Sequence, residues 1–254
     1  MRKHFYSKGT AKFQGHCPIR GIQSGICMRP KVLNQIFWAS VFLSFSSANT
    51  AFADQLLGNW QRGDLIFQET RNFEAEMLKA ATGSRLTHVG ILRASGGGPI
   101  VVEATSDGDV YETELDVFLQ RGVGHDYEIY RIKNLTPPKD WYHPIVLAAT
   151  DYFNWEYDLY YRKGESEIYS SELVYLSAKK IGIELGGYER LGDLNVENEA
   201  ARSFFLNHWK EHPDCKELGS SREGCWSLIK DQLVITPASL ARSQQLELVV
   251  STFA

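Results

Sequence analysis

The chain has 254 residues, with 27 Lys and Arg against 31 Asp and Glu and a formal net charge of −4. Residues 1–53 hold seven of the basic residues and none of the acidic ones, so the remainder carries 20 against 31, a net charge of −11. A surface of that sign argues against nucleic acid or anionic lipid as the main partner, and about 200 residues suffice for one domain with its own core.

The first predicted element is an export signal. Arg29 and Lys31 precede an apolar run from Ile36 to Phe45, followed by Ala51-Phe52-Ala53. This is the charged, apolar and small-residue order of a cleaved leader, with Asp54 as the expected first mature residue and Met28 as the expected true start. The apolar run is short and serine-rich, so no stable membrane span is expected once the signal is removed; an uncleaved anchor is the rival reading. The expected organisation is therefore an extension and signal over residues 1–53, one domain over residues 54–254, and a periplasmic or secreted location. The oligomeric state is left open.

Within the domain, Gly63 to Phe67 reads as a buried strand, and Phe73, Met77, Leu78 and Ala81 recur at helical spacing up to Gly83. Leu86–Ala94 and Pro99–Thr105 are β-rich runs joined at Ser95-Gly96-Gly97-Gly98, the pattern of a hairpin. Asp107-Gly108-Asp109 turns into a strand over Val110–Leu115, and Tyr127–Ile132 alternates as another. Pro137-Pro138 breaks the chain before a helix over His143–Phe153; a third helix runs from Ser170 to Lys180 and stops at Gly182. Asn195–Trp209 reads as helical, cut off by Pro213, and Leu246–Val250 closes as a strand. The class is α+β, a small antiparallel sheet flanked by helices.

Cys17 and Cys27 fall in the leader, leaving Cys215 and Cys225. In an oxidising compartment these two are expected to close a short loop as a disulfide, which leaves the mature chain without a free thiol.

Acyl transfer by a side chain needs a nucleophile, a base, a group that orients the base, and donors for the oxyanion. Ser170 falls at a predicted helix start, where unpaired backbone N–H groups and the positive end of the helix dipole face outward. His88 lies on one strand and Glu103 on its hairpin partner. A turn at residues 95–98 puts Glu103 opposite Gly90 and diagonal to His88, within side-chain reach. Glu103 then accepts from one imidazole nitrogen and leaves the other to act as base. The plainer readings are a helix cap for Ser170 or Ser171 and a structural role for the histidine. A glutamate in an apolar strand is less ordinary, because a buried carboxylate needs a partner.

The ordered segments Gly63-Asp64-Leu65-Ile66-Phe67, Thr87-His88-Val89-Gly90-Ile91, Val102-Glu103-Ala104, Tyr157-Asp158, Tyr169-x-Ser171-Glu172-Leu173-Val174 and Thr236-Pro237-x-x-Leu240 resemble the permuted papain-like amidases of the YaeF/YiiX type, relatives of NlpC-type cell-wall peptidases. The resemblance implies a permuted papain-like fold and a catalytic set of strand histidine, following glutamate and a cysteine at the helix start. His88 and Glu103 match that set; Ser170 stands at the cysteine position. It further implies peptide or acyl-amide and ester substrates; no cofactor or metal is expected. Ser170 is then a working serine nucleophile, or the mark of a silent binding pocket, or the replacement of a native cysteine. Asp64, Asp158 and Tyr169 are weaker candidates for substrate or supporting contacts.

His208-Trp209-Lys210-Glu211-His212 spells an inverted zinc-hydrolase motif, which needs a third ligand from Glu217, Glu223 or Glu247. A solvated helix end is the plainer reading. The aromatic cluster Tyr152, Phe153, Trp155, Tyr157, Tyr160 and Tyr161 leads into the nucleophile segment; most are expected to pack, with one or two lining a substrate groove.

Overall fold

The structure, a computed structural model, describes residues 57–135, 143–164, 166–197, 199–218 and 221–254. The predicted leader, its Asp54 boundary and the Pro137-Pro138 break lie outside the described residues.

Strand β1 (Leu65–Thr70) leads into helix α1 (Phe73–Thr82). Asn72 caps α1 by accepting from the Ala75 N–H, and Gly83 ends it at φ 66°, a left-handed turn that costs glycine little. Strands β2 (His88–Ser95) and β3 (Gly98–Thr105) form the expected hairpin, and β4 (Asp109–Glu114) adds the next strand. Helix α2 (Leu115–Gln120), which the sequence did not announce, then leads into β5 (Gly122–Ile132), five residues longer at its start than expected. Six residues are too few to establish a helical period, and Val110–Leu115 alternates like a strand.

Helix α3 (Pro144–Thr150) is followed by the short parallel pair β6 (Glu156–Tyr157) and β7 (Glu167–Ile168), and then by α4 (Ser170–Lys180) as predicted. Beyond β8 (Glu189–Arg190), helix α5 covers only Glu199–Phe205 rather than Asn195–Trp209. Pro213 does not cut that helix off; it opens α6 (Pro213–Leu218), the first helical position being where proline's missing N–H costs nothing. Helix α7 (Arg222–Ile229), β9 (Leu233–Val234), α8 (Pro237–Ala241) and β10 (Leu246–Ser251) complete the chain.

One antiparallel sheet runs β10-β5-β1-β2-β3-β4. The central strand β1 is buried on both faces, so it reads as an unbroken apolar run. Leu65 and Phe67 join Val89, Ile91 and Val102 on the face covered by α3 and α4; Ile66 joins Leu92, Val101 and Phe118 on the face covered by α2. A third cluster gathers Leu191, Val196, Leu206, Ile229 and Val234 around the Cys215–Cys225 disulfide. Among the described residues no helix is long and apolar enough to cross a membrane.

Two stability consequences follow from this framework. The disulfide closes a ten-residue separation beside the third cluster, so reducing it, or replacing both cysteines by alanine, is expected to lower unfolding stability by roughly 2–3 kcal/mol in urea titrations. No difference between oxidised and reduced protein would count against that role. Glu172, buried in the first turn of α4, has one oxygen served by Tyr188 and the Gly164 N–H and the other unpartnered; burial pushes its carboxyl up to about 7 from 4.5. A folded-state value above the unfolded one gives stability that is complete below about pH 4.5 and lost as pH rises through about 7. His143, lowered by burial to about 4, acts with the opposite sign as pH falls. The difference between Glu172→Gln and wild type isolates the first effect. The variant is expected to gain on the order of 2 kcal/mol at pH 8 and little at pH 4, and equal gains at both would contradict the assignment.

Candidate active site

At the end of the sheet where β2 begins and β3 finishes, a cavity of about 350 Å³ is lined by His88, Thr105, Arg121, Tyr157, Tyr169 and Ser170 among others. The hairpin places the first two chemical groups. Its register runs from Ser95 opposite Gly98 to Ile91 opposite Val102, so one further step sets Gly90 against Glu103. A Cβ at Gly90 would stand 2.2 Å from Val101 Cγ1 and 3.5 Å from Glu103 Cβ, so glycine is what lets the two strands close here. Across the gap left at that position, His88 Nε2 meets Glu103 Oε2 at 2.6 Å.

Glu103 is fully buried, and its second oxygen is met by the Arg121 guanidinium, held at the C-terminal end of α2. Burial alone would push this carboxyl up; the hydrogen bond from His88 and the charges of His88 and Arg121 outweigh it and hold the group below the usual glutamate value. The glutamate is therefore an acceptor on both oxygens, which makes His88 Nε2 the donor and leaves Nδ1 as the nitrogen able to take a proton. The His88 ring also lies 5.7 Å from the ring of Phe118 on the same helix α2. Sequence reading missed Arg121 and Phe118. Phe118 lies in α2 and Arg121 caps its end; that helix had no periodic signal, and an arginine before a glycine carries no motif.

Ser170 is the first residue of α4 and is 5% exposed. The N-cap is Tyr169, no side chain caps the helix, and the Ser170 hydroxyl has no hydrogen-bond partner among the described residues. The uncapped first turn leaves backbone N–H groups and the positive end of the helix at the cavity wall. Ser171 is differently used: its hydroxyl donates to the Ile235 carbonyl at 2.8 Å, while the Tyr169 hydroxyl accepts from the Ile235 N–H at 2.9 Å. These bonds tie the start of α4 to the segment before α8.

The weaker candidates separate. Tyr169 lines the cavity. Asp64 does not: both its oxygens accept from Arg131, at 2.8 and 2.7 Å, and one also accepts from the Gln61 N–H at 2.6 Å. Asp158 is buried outside the cavity lining, with one oxygen accepting from the Tyr160 N–H; burial pushes its carboxyl up to about 6. Of the aromatic cluster, Tyr157 and Tyr161 reach the cavity, whereas Tyr152, Phe153 and Trp155 pack against the core. The inverted zinc motif is not assembled on one face. His208 and Glu211 are exposed, while His212 is buried edge-on to Tyr160, ring centroids 5.0 Å apart. Among the described residues no group of three His, Cys, Asp or Glu side chains is placed to hold a metal ion.

Comparison with known proteins agrees with this architecture. The chain is 24% identical to the uncharacterized protein YiiX of Escherichia coli strain K12 over 139 residues, which is 54% of this chain and 67% of that protein. It superposes with a TM-score of 0.64 and 23% identity on the crystal structure of metalloprotein yiiX from Escherichia coli O157:H7, covering 76% of this chain and 98% of that one. That likeness shows the fold. The family described as permuted papain-like amidase enzyme, YaeF/YiiX, C92, matches residues 59–250 and takes in the strand pair, the cavity and α4. The chain belongs to this permuted papain-like amidase family.

Proposed function

We propose that the chain is an exported amide or ester hydrolase that works by acyl transfer, as one domain preceded by a cleaved leader, with Ser170 as nucleophile, His88 as base and Glu103 as the residue that orients it. The observation that carries the reading is the His88–Glu103–Arg121 relay on the wall of the cavity that Ser170 also lines. Ser170 Oγ attacks the substrate carbonyl as its proton passes to His88 Nδ1. The imidazolium is steadied by the Glu103 carboxylate, and the negative oxygen of the tetrahedral intermediate faces the N–H groups at the start of α4. Collapse of the intermediate returns the proton from His88 to the leaving amine or alcohol. Water, deprotonated by the same nitrogen, then releases the acyl group and regenerates Ser170. The family's peptide-type and acyl-lipid-type substrates both suit this chemistry. The Cys215–Cys225 pairing supports an oxidising compartment and hence export.

A second reading is a binding module that has lost turnover, favoured by the hydroxyl that stands at the family's thiol position. A hydroxyl must give up its proton during attack, whereas a thiol is already partly ionised near neutral pH. Treating the mature chain with a fluorophosphonate and locating the label by mass spectrometry separates the two. Label on Ser170, slowed about 100-fold or more by His88→Ala, is expected. An unlabelled wild type, with activity appearing only in Ser170→Cys, would establish the silent pocket instead.

Arg121 has its own test. Removing its charge lets burial lift the Glu103 carboxyl, so on acidification Glu103 loses its negative charge at a higher pH. In Arg121→Gln the labelling rate should fall about ten-fold near neutrality, and its acid limb should move to higher pH, with partial recovery in Arg121→Lys. An unmoved pH profile would show that Arg121 serves only the fold.

A further inference from the structure

One wall of the cavity remains unexplained by acyl transfer. Glu74, in the first turn of α1, lines the cavity together with Tyr157 and Tyr161. Its carboxylate makes no hydrogen bond or ion pair among the described residues, although α1 contains Lys79, which pairs with Glu69 and Glu76 instead. It lies near enough to His88, Tyr157 and Tyr161 for its charge to act on all three. An acidic residue in a first turn suits the helix dipole, but a dipole is equally served by a carboxylate in water. Here burial raises the Glu74 carboxyl above its ordinary value; the charge of nearby His88 opposes that cost, but no hydrogen bond among the described residues does.

Tyr161 adds a second, independent observation. Its φ is 53°, a left-handed conformation that a bulky aromatic residue adopts at a cost of about 1–2 kcal/mol. The conformation is held by ring packing: Tyr169 lies 5.2 Å away, Phe204 5.8 Å and Phe205 6.0 Å. The strained backbone thus holds the Tyr161 ring between the core and the cavity wall. The product is a corner with one unpaired carboxylate and two tyrosines beside the reacting groups. Arg121, also in the lining, is occupied by Glu103, and Arg71 belongs to the exposed rim.

Resting on the hydrolase reading, we infer that Glu74, Tyr157 and Tyr161 form a subsite for a protonated amine of the substrate, placed close to the scissile carbonyl as at the free amino end of a peptide. The corner discriminates between the two substrate types the reaction chemistry accepts. An ammonium group supplies the missing partner of Glu74 and lies favourably against aromatic rings. A fatty acyl chain pressed there would strip water from a carboxylate and return nothing. The subsite selects peptide-type substrates with an unblocked amine.

Binding tests this without requiring turnover. Calorimetry on the full chain carrying Ser170→Ala compares L-alaninamide with N-acetyl-L-alaninamide, in the Glu74 and Glu74→Gln backgrounds. The expected result is about ten-fold tighter binding of the free amine, abolished by Glu74→Gln and partly kept by Glu74→Asp, with the acetylated ligand binding alike in all three as the check on folding. Equal binding of both ligands, no detectable binding of either, or a preference that survives Glu74→Gln would overturn the subsite. The hydrolase reading stands or falls separately, on fluorophosphonate labelling of Ser170.

Discussion

The site depends on a carboxylate buried in the sheet. Glu103 is fully buried on β3, where an unpaired charge would oppose folding. It is tolerated because each oxygen has a cationic or donating partner, His88 on β2 and Arg121 at the end of α2. Each partner constrains the fold in return. His88 reaches Glu103 only in one hairpin register, since a one-residue slip would send its side chain to the other face of the sheet. Arg121 reaches it only if the chain folds back through α2 after β4, and Phe118 on the same helix packs against both the sheet and the imidazole. Sheet pairing, helix placement and imidazole orientation are thus three readings of one electrostatic requirement.

On the proposed reading, in which Ser170 is the nucleophile, the hydroxyl at position 170 makes that requirement more exacting. A thiolate carries much of its nucleophilicity before the base is engaged, whereas a serine depends on the base in the transition state itself. Holding Nε2 against Glu103 removes the alternative ring orientation and leaves Nδ1 available throughout. The opposing element, α4, contributes an uncapped helix start whose position is secured by Ser171 and Tyr169 through Ile235. The two serines consequently differ in use although they adjoin in sequence. One hydroxyl is committed to the backbone of a neighbouring segment; the other is uncommitted.

Local pattern was enough for the sheet-forming strands, for α1 and for α4, because turn residues and apolar spacing bound them directly. The Ser95–Gly98 turn made the approach of Glu103 to His88 legible, since hairpin register is simple arithmetic once the turn is placed. Arg121 was illegible because it caps a six-residue helix with no period to detect, and its partner is distant in the chain. Glu74 was hidden for another reason: an acidic residue at a helix start already has an ordinary explanation, and only the cavity singles it out. Asp64 belonged to the segments that carried the family resemblance, yet Arg131 and the Gln61 backbone take up its oxygens. The extent of α5 was misread because proline both ends and begins helices, and Pro213 does the latter.

The central claim is that Glu103 fixes the His88 imidazole with its proton on Nε2 and its lone pair on Nδ1. Long-range nitrogen–proton NMR on histidine-labelled protein reads the tautomer of the neutral ring directly. The account predicts a single Nε2–H form for His88 that loses its preference in Glu103→Gln. An Nδ1–H form, or a tautomer unaffected by that substitution, would contradict it.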